Sequence, residues 1–341
     1  MRFVHTADIH IGEYRNGPTL ANQVNGRFMD IHDRIEELLN YLVKNDIKHL
    51  FIAGDIFKDK FPVPSHLREF ATVLQRCAHQ DINVWIIPGN HDRAKASDQM
   101  HHLGIYMPIL PPQVRIIDAP SVIKIEGIRF YFFPYIKSPQ QPNLMEFLGD
   151  STSEDVLVMH GIVEGCKSGL FEYEINDDDI INMSVVRHLK MVLAGDVHTM
   201  QHFDNVYYPG SLERLTFNDE GETKGFWDII IGGEIKFVPV NARRMVTVHA
   251  DDIKPGVDVK DAIVRIKGIK AEDVADAKKI LNNAGCYYVA NIRLAEKKEI
   301  EGVHQITVSI PDLIRQHAQK VGYTGDIDSA IKTIMETLNA T

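Results

Sequence analysis

The chain has 341 residues, and at roughly 150 residues per domain this predicts about two domains. Apolar residues make up 44% and charged residues 25%. These shares exclude collagen-like, mucin-like and wholly disordered classes. No apolar run reaches the roughly 18 residues of a membrane span, so no transmembrane helix and no membrane partner are predicted. Residues 1–5 lack an h-region, so no secretory signal is read. Three scattered cysteines, Cys77, Cys166 and Cys286, argue for a reducing compartment and against a disulfide framework. A cytoplasmic protein is expected.

The net charge is −10, and it is uneven. Residues 241–341 hold 15 basic and 14 acidic residues, so residues 1–240 carry −11. Acidity on that scale disfavours passive binding of nucleic acid. It suits divalent metals, and a dication-loaded site would reverse the local field seen by a phosphate.

In chain order, Phe3–Ala7 reads as a strand. Phe28–Val43 reads as a helix, with Phe28, Ile31, Ile35, Leu38, Leu39 and Leu42 on one face. His49–Ala53 is a buried strand, Ser65–His79 a second helix with Ser65 as its N-cap, and Ile82–Ile87 a third strand. This alternation predicts βαβ units and an α/β core. Short strands over 114–118, 121–126 and 128–134 bring in antiparallel structure. Asp155–Met159 and Lys190–Ala194 are further buried strands, and residues 225–240 form a hairpin turning at Gly232-Gly233. A boundary is expected near Asn241–Met245. Beyond it, strands at Val246–His249, Ile263–Ile269 and Tyr287–Leu294 and a helix at Ala271–Ala284 predict a small α+β domain. Pro311–Leu338 reads as two helical stretches broken at Gly322–Gly325.

Five apolar runs end in residues able to bind metal: Asp8-Ile9-His10, Gly54-Asp55, Gly89-Asn90-His91-Asp92, His160-Gly161 and Gly195-Asp196-Val197-His198. In open α/β sheets, sites form beyond the carboxyl ends of strands. A set of carboxylates, an amide oxygen and imidazoles suits Mn, Fe or Zn better than calcium. It exceeds one tetrahedral zinc and is enough for two ions sharing a bridging carboxylate.

This series resembles the calcineurin-like (binuclear) metallophosphoesterase superfamily over about residues 1–240. Tyr208-Pro209-Gly210-Ser211-Leu212-Glu213-Arg214, followed by Lys224-Gly225-Phe226, is similar to the signature of the SbcD family. Those proteins are nuclease subunits of double-strand-break repair complexes. The short length resembles the bacteriophage members, which take part in recombination and replication; the compartment would then be the host cytoplasm. The resemblance implies a two-sheet αββα sandwich over residues 1–240, a small α+β DNA-capping domain over 245–310 and a C-terminal helical hairpin over 311–341. That hairpin would dock an SbcC-type, SMC-like ATPase. It also implies double-stranded DNA as substrate and a homodimer within a heterotetramer, with the Phe28–Val43 helix as a candidate contact.

Carried over position by position, Asp8, His10 and His198 would hold one divalent ion and Asn90, His160 and Asp196 a second. Asp55 would bridge them. The ions would be Mn2+ foremost, with Mg2+ as the alternative. His91 would be the catalytic histidine, protonating the leaving oxygen, and Asp92 would orient its ring. Two positions depart from the family. Asp196 stands where a histidine is usual, which favours harder ions. Lys58 stands where a histidine linked to handling the DNA end is common, which leaves the balance of exonuclease and endonuclease activity open. Two other readings stay open, a nucleotide phosphodiesterase or phosphatase of the same superfamily and a scaffold that keeps the fold for binding. Basic residues Arg243, Arg244, Lys267, Lys270, Lys278, Lys279, Lys297 and Lys298 are a candidate DNA-facing surface or ordinary solvated faces.

Overall fold

Runs of five apolar, β-branched and aromatic residues, separated by amphipathic stretches, set the architecture. The computed structural model describes residues 1–21, 23–93, 101–136, 143–167 and 180–294. All of its elements belong to one compact unit, residues 1–295. Strands β1 (Arg2–Thr6), β2 (His49–Ala53) and β3 (Asn83–Ile87) run parallel, joined by helices α1 (Gly26–Lys44) and α2 (Pro64–His79). Strand β4 (Val114–Ile116) extends them. Antiparallel structure was expected from residue 114, but β4 pairs parallel to β3. The antiparallel pair is β5 (Ser121–Ile125) with β6 (Ile128–Phe133), in another sheet.

That second sheet continues through α3 (Leu144–Leu148) and β7 (Val156–His160). It then takes the short β8 (Ile162–Val163), β9 (Ile180–Ile181) and α4 (Met183–Val186) as excursions. It closes with β10 (Met191–Gly195), β11 (Gln201–Phe203) and β12 (Val206–Tyr208) in the order β11-β12-β10-β7-β6-β5. The predicted hairpin, β13 (Gly225–Ile230) and β14 (Ile235–Pro239), returns to the first sheet, whose order is β14-β13-β1-β2-β3-β4.

Side chains alternate faces along a strand, so each sheet buries two surfaces. Phe3, Phe51, Trp85, Phe130, Phe132, Leu193 and Trp227 meet between the sheets, with the Phe51 and Phe130 rings stacked at 4.9 Å. Val4, Leu50 and Val84 face α1 and α2. Tyr131, Leu157 and Val192 face α3 and α4. The result is an αββα sandwich.

Asn25 caps α1 by accepting from the backbone N–H groups of Arg27 and Phe28. The apolar face of α1, Ile31 through Leu42, lies in the core. Helix α2 starts with Pro64 in its first position, where a missing N–H costs nothing, after Val63 with no side-chain cap. Ser65 is therefore inside the helix and not its cap.

A separate parallel sheet, β15 (Met245–His249), β16 (Ile263–Ile269) and β17 (Tyr288–Leu294), packs with α5 (Val274–Asn283) around Val248, Val264, Ile266 and Leu281. The helix expected from Ala271 opens as a single 3-10 turn before α5. The helical hairpin expected over 311–341 and the pair Lys297 and Lys298 lie outside the described residues.

Candidate metal centre

The candidate residues sit where β1, β2, β3, β7 and β10 end. The loops after β1 and β2 are zipped together: Asp8 N–H donates to Gly54 O (3.0 Å), His10 N–H to Asp55 O (3.0 Å) and Ile11 N–H to Ile56 O (2.8 Å). Asp8, His10, Asp55 and Asp196 all have φ between 51° and 94°, a region that side-chain-bearing residues seldom adopt. Such strain clusters at sites where the surrounding fold fixes it. Gly89 and Gly195 admit the close approach. A Cβ on Gly89 would overlap the Asp55 carboxylate, and one on Gly195 would press on the Ala53 carbonyl and the His160 ring.

Three sets of side chains converge: Asp8, His10 and His198; Asp8, Asp55 and His160; and His10, Asp55 and His91. Within each, one potential ligand atom per residue lies within 4.8 Å of the others. Asp55 joins two of them. Its Oδ2 is 3.5 Å from His10 Nε2 and its Oδ1 is 3.5 Å from His160 Nε2. His10 Nε2 and His198 Nε2 are 3.0 Å apart. His160 Nδ1–H donates to the Ala53 carbonyl at 2.8 Å, because a carbonyl can only accept. The lone pair on Nε2 therefore faces oxygens: Asn90 Oδ1 at 3.1 Å, Asp55 Oδ1 at 3.5 Å and Asp196 Oδ1 at 3.6 Å. Asp55 Oδ1 also accepts from His91 N–H at 2.9 Å, but among the described residues no donor lies between His160 Nε2 and the oxygens it faces, an arrangement that a cation resolves. A carbonyl holding the far nitrogen is the usual support of a ligating imidazole.

The electrostatics agree. Asp8 and Asp55 are 0% and 2% exposed. Among the described residues, Asp55 has only His10 and His160 as ion-pair partners. Burial, then the neighbouring Asp92 and Asp196, pushes the Asp55 carboxyl well above the usual range. Burial does the same to Asp8, opposed by His160 and reinforced by Asp55 and Asp196. Burial holds the His10 imidazole well below its ordinary value, and the rings of His198 and His91 add to the effect. Burial brings His198 down to about 4. Neutral imidazoles beside unpaired carboxylates are the forms that metal binding requires.

Asp196 is the loosest member. Its backbone N–H donates to both oxygens of Asp8 at 3.1 Å, but its side chain is 28% exposed and belongs to none of the three sets. Asp92 departs from expectation. It is fully buried, and its oxygens accept from Ile56 N (2.9 Å), Phe57 N (3.1 Å) and Gly89 N (2.8 Å). It ties the loops after β2 and β3 together and does not orient the His91 ring. That ring is held by the Lys58 carbonyl, which accepts from Nδ1 at 2.7 Å. Its edge lies against His10, with centroids 4.9 Å apart. The Lys58 side chain turns away, with Nζ on the Glu13 carbonyl (2.7 Å) and over the Tyr14 ring.

The segment from Tyr208 to Phe226 contributes support that its sequence does not announce. Tyr208 Oη donates to Gly161 O at 2.8 Å and accepts from Val163 N at 2.9 Å, which fixes the turn after His160. Ser211 N–H and Lys224 Nζ both donate to the His198 carbonyl, at 3.0 and 2.9 Å. Two of the candidate DNA-facing arginines are engaged within the chain, Arg243 with Asp30 and Arg244 with Asp258.

The family model described as calcineurin-like phosphoesterase matches residues 1–200. The "DNA double-strand break repair protein Mre11" of Methanocaldococcus jannaschii is 24% identical over 362 residues, covering 96% of this chain and 92% of that protein. "Exonuclease subunit 1" of Enterobacteria phage T4 is 24% identical over 264 residues, covering 76% of this chain and 74% of its own. Among solved structures, a dimetal phosphatase from Danio rerio aligns with a TM-score of 0.40 and 13% identity, over 67% of this chain and 91% of that one.

Proposed function

The chain belongs to the calcineurin-like phosphoesterase family, and from that premise we propose that it is a Mn2+-dependent nuclease hydrolysing phosphodiester bonds at double-stranded DNA ends. The observation that carries the reading is Asp55, whose two oxygens each face a different imidazole across adjoining ligand sets. The names of the two relatives support DNA as the substrate.

In this reading Asp8, His10 and His198 hold one ion, Asn90, His160 and Asp196 the other, and Asp55 both. When bound, two such ions neutralise a phosphodiester's charge and make a water acidic enough to attack phosphorus. The chain's own residues do the rest. His160 is kept in one tautomer by Ala53. His91, with Nδ1–H held by the Lys58 carbonyl, turns Nε2 outward, and in its doubly protonated form the ring would pass the Nε2 proton to the leaving sugar oxygen and be left neutral, with the proton on Nδ1. Asp92 keeps both loops in register. Residues 1–240 form the phosphoesterase domain, 245–310 cap the DNA, and 311–341 dock an SbcC-type ATPase in a complex built on a homodimer.

The test is degradation of end-labelled linear double-stranded DNA. Loss of label with Mn2+, abolished by chelator and by His91→Ala, is the expected result. Intact DNA from a preparation that still hydrolyses a generic phosphodiester would point to another phosphoesterase substrate or to an obligatory partner.

A further inference from the structure

His198 sits on a loop whose position is set from outside the metal centre. Lys224 is 1% exposed, and its ammonium donates in a tripod to His198 O (2.9 Å), Asp219 Oδ1 (2.7 Å) and Glu222 Oε2 (2.7 Å). Those bonds use all three donors of a lysine. Glu222 Oε1 also accepts from Thr199 Oγ1 at 2.7 Å, so two successive residues, His198 and Thr199, hang on the same loop. Asp219 Oδ2 accepts from Leu215 N (3.0 Å) and Thr216 N (2.8 Å) and stiffens the loop internally.

The same loop is gripped from its other side by the three-stranded sheet. Glu220 accepts from Thr247 N–H at 2.6 Å and Thr247 Oγ1 at 2.5 Å, and Arg265 Nη2 is 3.4 Å away. Thr247 on β15 and Arg265 on β16 are register partners, and the Arg265 guanidinium lies 4.5 Å over the Phe217 ring. Acidic residues within one short loop thus face opposite ways. Asp219 and Glu222 hold Lys224 against the His198 carbonyl, while Glu220 holds the sheet.

We propose that residues 216–224 are a relay coupling the seating of the β15–β17 sheet to the position of His198, with Lys224 as the positioning residue and Glu220 as the latch. The proposal rests on the reading of His198 as a metal ligand. A shift of β15 and β16 pulls Glu220, displaces the acceptors of Lys224 and moves the backbone that carries the His198 ring. By linkage the coupling runs both ways, so filling the metal centre steadies the sheet.

The test is Mn2+ titration of the full chain by calorimetry, with thermal unfolding to confirm folding. Wild type should bind two ions. Glu220→Ala, which leaves every proposed ligand in place, should weaken one ion about tenfold, the scale seen when groups supporting a ligand are removed, and leave the other within about twofold. Lys224→Met should weaken the same ion further. If Lys224→Met fails to fold, Glu220→Ala decides alone. In wild type, but not in Glu220→Ala, Mn2+ should also slow amide exchange at Thr247 and Arg265. A folded Glu220→Ala protein with both affinities unchanged would overturn the relay while leaving the metal centre standing. Wild type binding fewer than two ions would overturn the metal-centre reading, and the relay with it.

Discussion

At the ends of β1, β2, β7 and β10, buried carboxylates face imidazoles and one another. On α1 and the chain packed against it, an equally buried set faces guanidinium groups. There Arg27 pairs with Asp30 at 2.5 Å and lies 3.8 Å from Glu213, Arg34 lies 3.4 Å from Glu213, and Arg243 pairs with Asp30 at 2.5 Å. Glu213 also accepts from the backbone N–H groups of Arg214 (2.7 Å) and Arg243 (3.0 Å). Asp219, next to Lys224, shows what such a partner does. Burial pushes its carboxyl up, but Lys224 and the Thr216 N–H outweigh this and hold it below the ordinary range. Asp8 and Asp55 have no such partner among the described residues and are pushed up. The second cluster meets its carboxylates with guanidinium groups of the chain itself, although burial still raises the Glu213 carboxyl against the pull of Arg27. The first has no lysine or arginine partner among the described residues, and in the proposed reading cations supply the missing charge.

The sharpest way to break this contrast is to separate rate from stability. His91→Ala should lower Mn2+-dependent cleavage by about 10²–10⁴-fold, the range for a general acid, while thermal unfolding and metal stoichiometry stay near wild type. Turnover at the wild-type level would remove His91 from the mechanism. Glu213→Gln should do the reverse. Arg27 and Arg34 lose their shared counter-charge, and denaturant unfolding should show a loss of about 3–5 kcal/mol, equal with and without metal.

A crossing effect is expected at Asp55. In chelator, Asp55→Asn replaces a buried carboxyl that lacks a cation and should be neutral or stabilising by about 1–2 kcal/mol. The Mn2+-dependent rise in unfolding temperature seen for wild type should be lost. A destabilisation in chelator as large as that of Glu213→Gln would erase the distinction between the clusters.

His5 calibrates the effect of burial alone. It is fully buried between the sheets, with Nε2 3.2 Å from Tyr207 O. Burial, opposed by the backbone carbonyls it meets, lowers its pKa from 6.5 to about 4. The unfolded chain therefore binds the proton first as pH falls, and stability drops between roughly pH 6.5 and 4. Relative to His5→Gln, which keeps a donor for Tyr207 O, wild type should lose about 2 kcal/mol between pH 7.5 and 5. Parallel pH profiles would show that His5 does not titrate in this way.

The main strands were legible because each pairs a short apolar run with a polar end, and the α/β core follows from their alternation; the two-sheet sandwich was implied by the family resemblance and not by the alternation. The short β8, β9 and β11 were not legible, because runs of two or three residues carry no period. Asp92 was assigned to its sequence neighbour His91, yet it bonds amides on another loop, and the acceptor for His91 is a carbonyl 33 residues away. Every residue has a backbone carbonyl, so no residue type signals which one will be used. The Tyr208–Arg214 segment carries a recognisable pattern of letters, but its support of the His160 and His198 loops depends on contacts across the sandwich. Ser65 has the chemistry of a cap, but Pro64 already occupies the first helical position.

The most direct test of the central claim is a crystal of the protein soaked in Mn2+, with anomalous difference density measured for wild type and Asp55→Asn. Two peaks should flank the Asp55 carboxylate in wild type, one among Asp8, His10 and His198 and the other beside Asn90 and His160, and both should weaken in the variant. A single peak, or two peaks that persist without the Asp55 carboxylate, would contradict it.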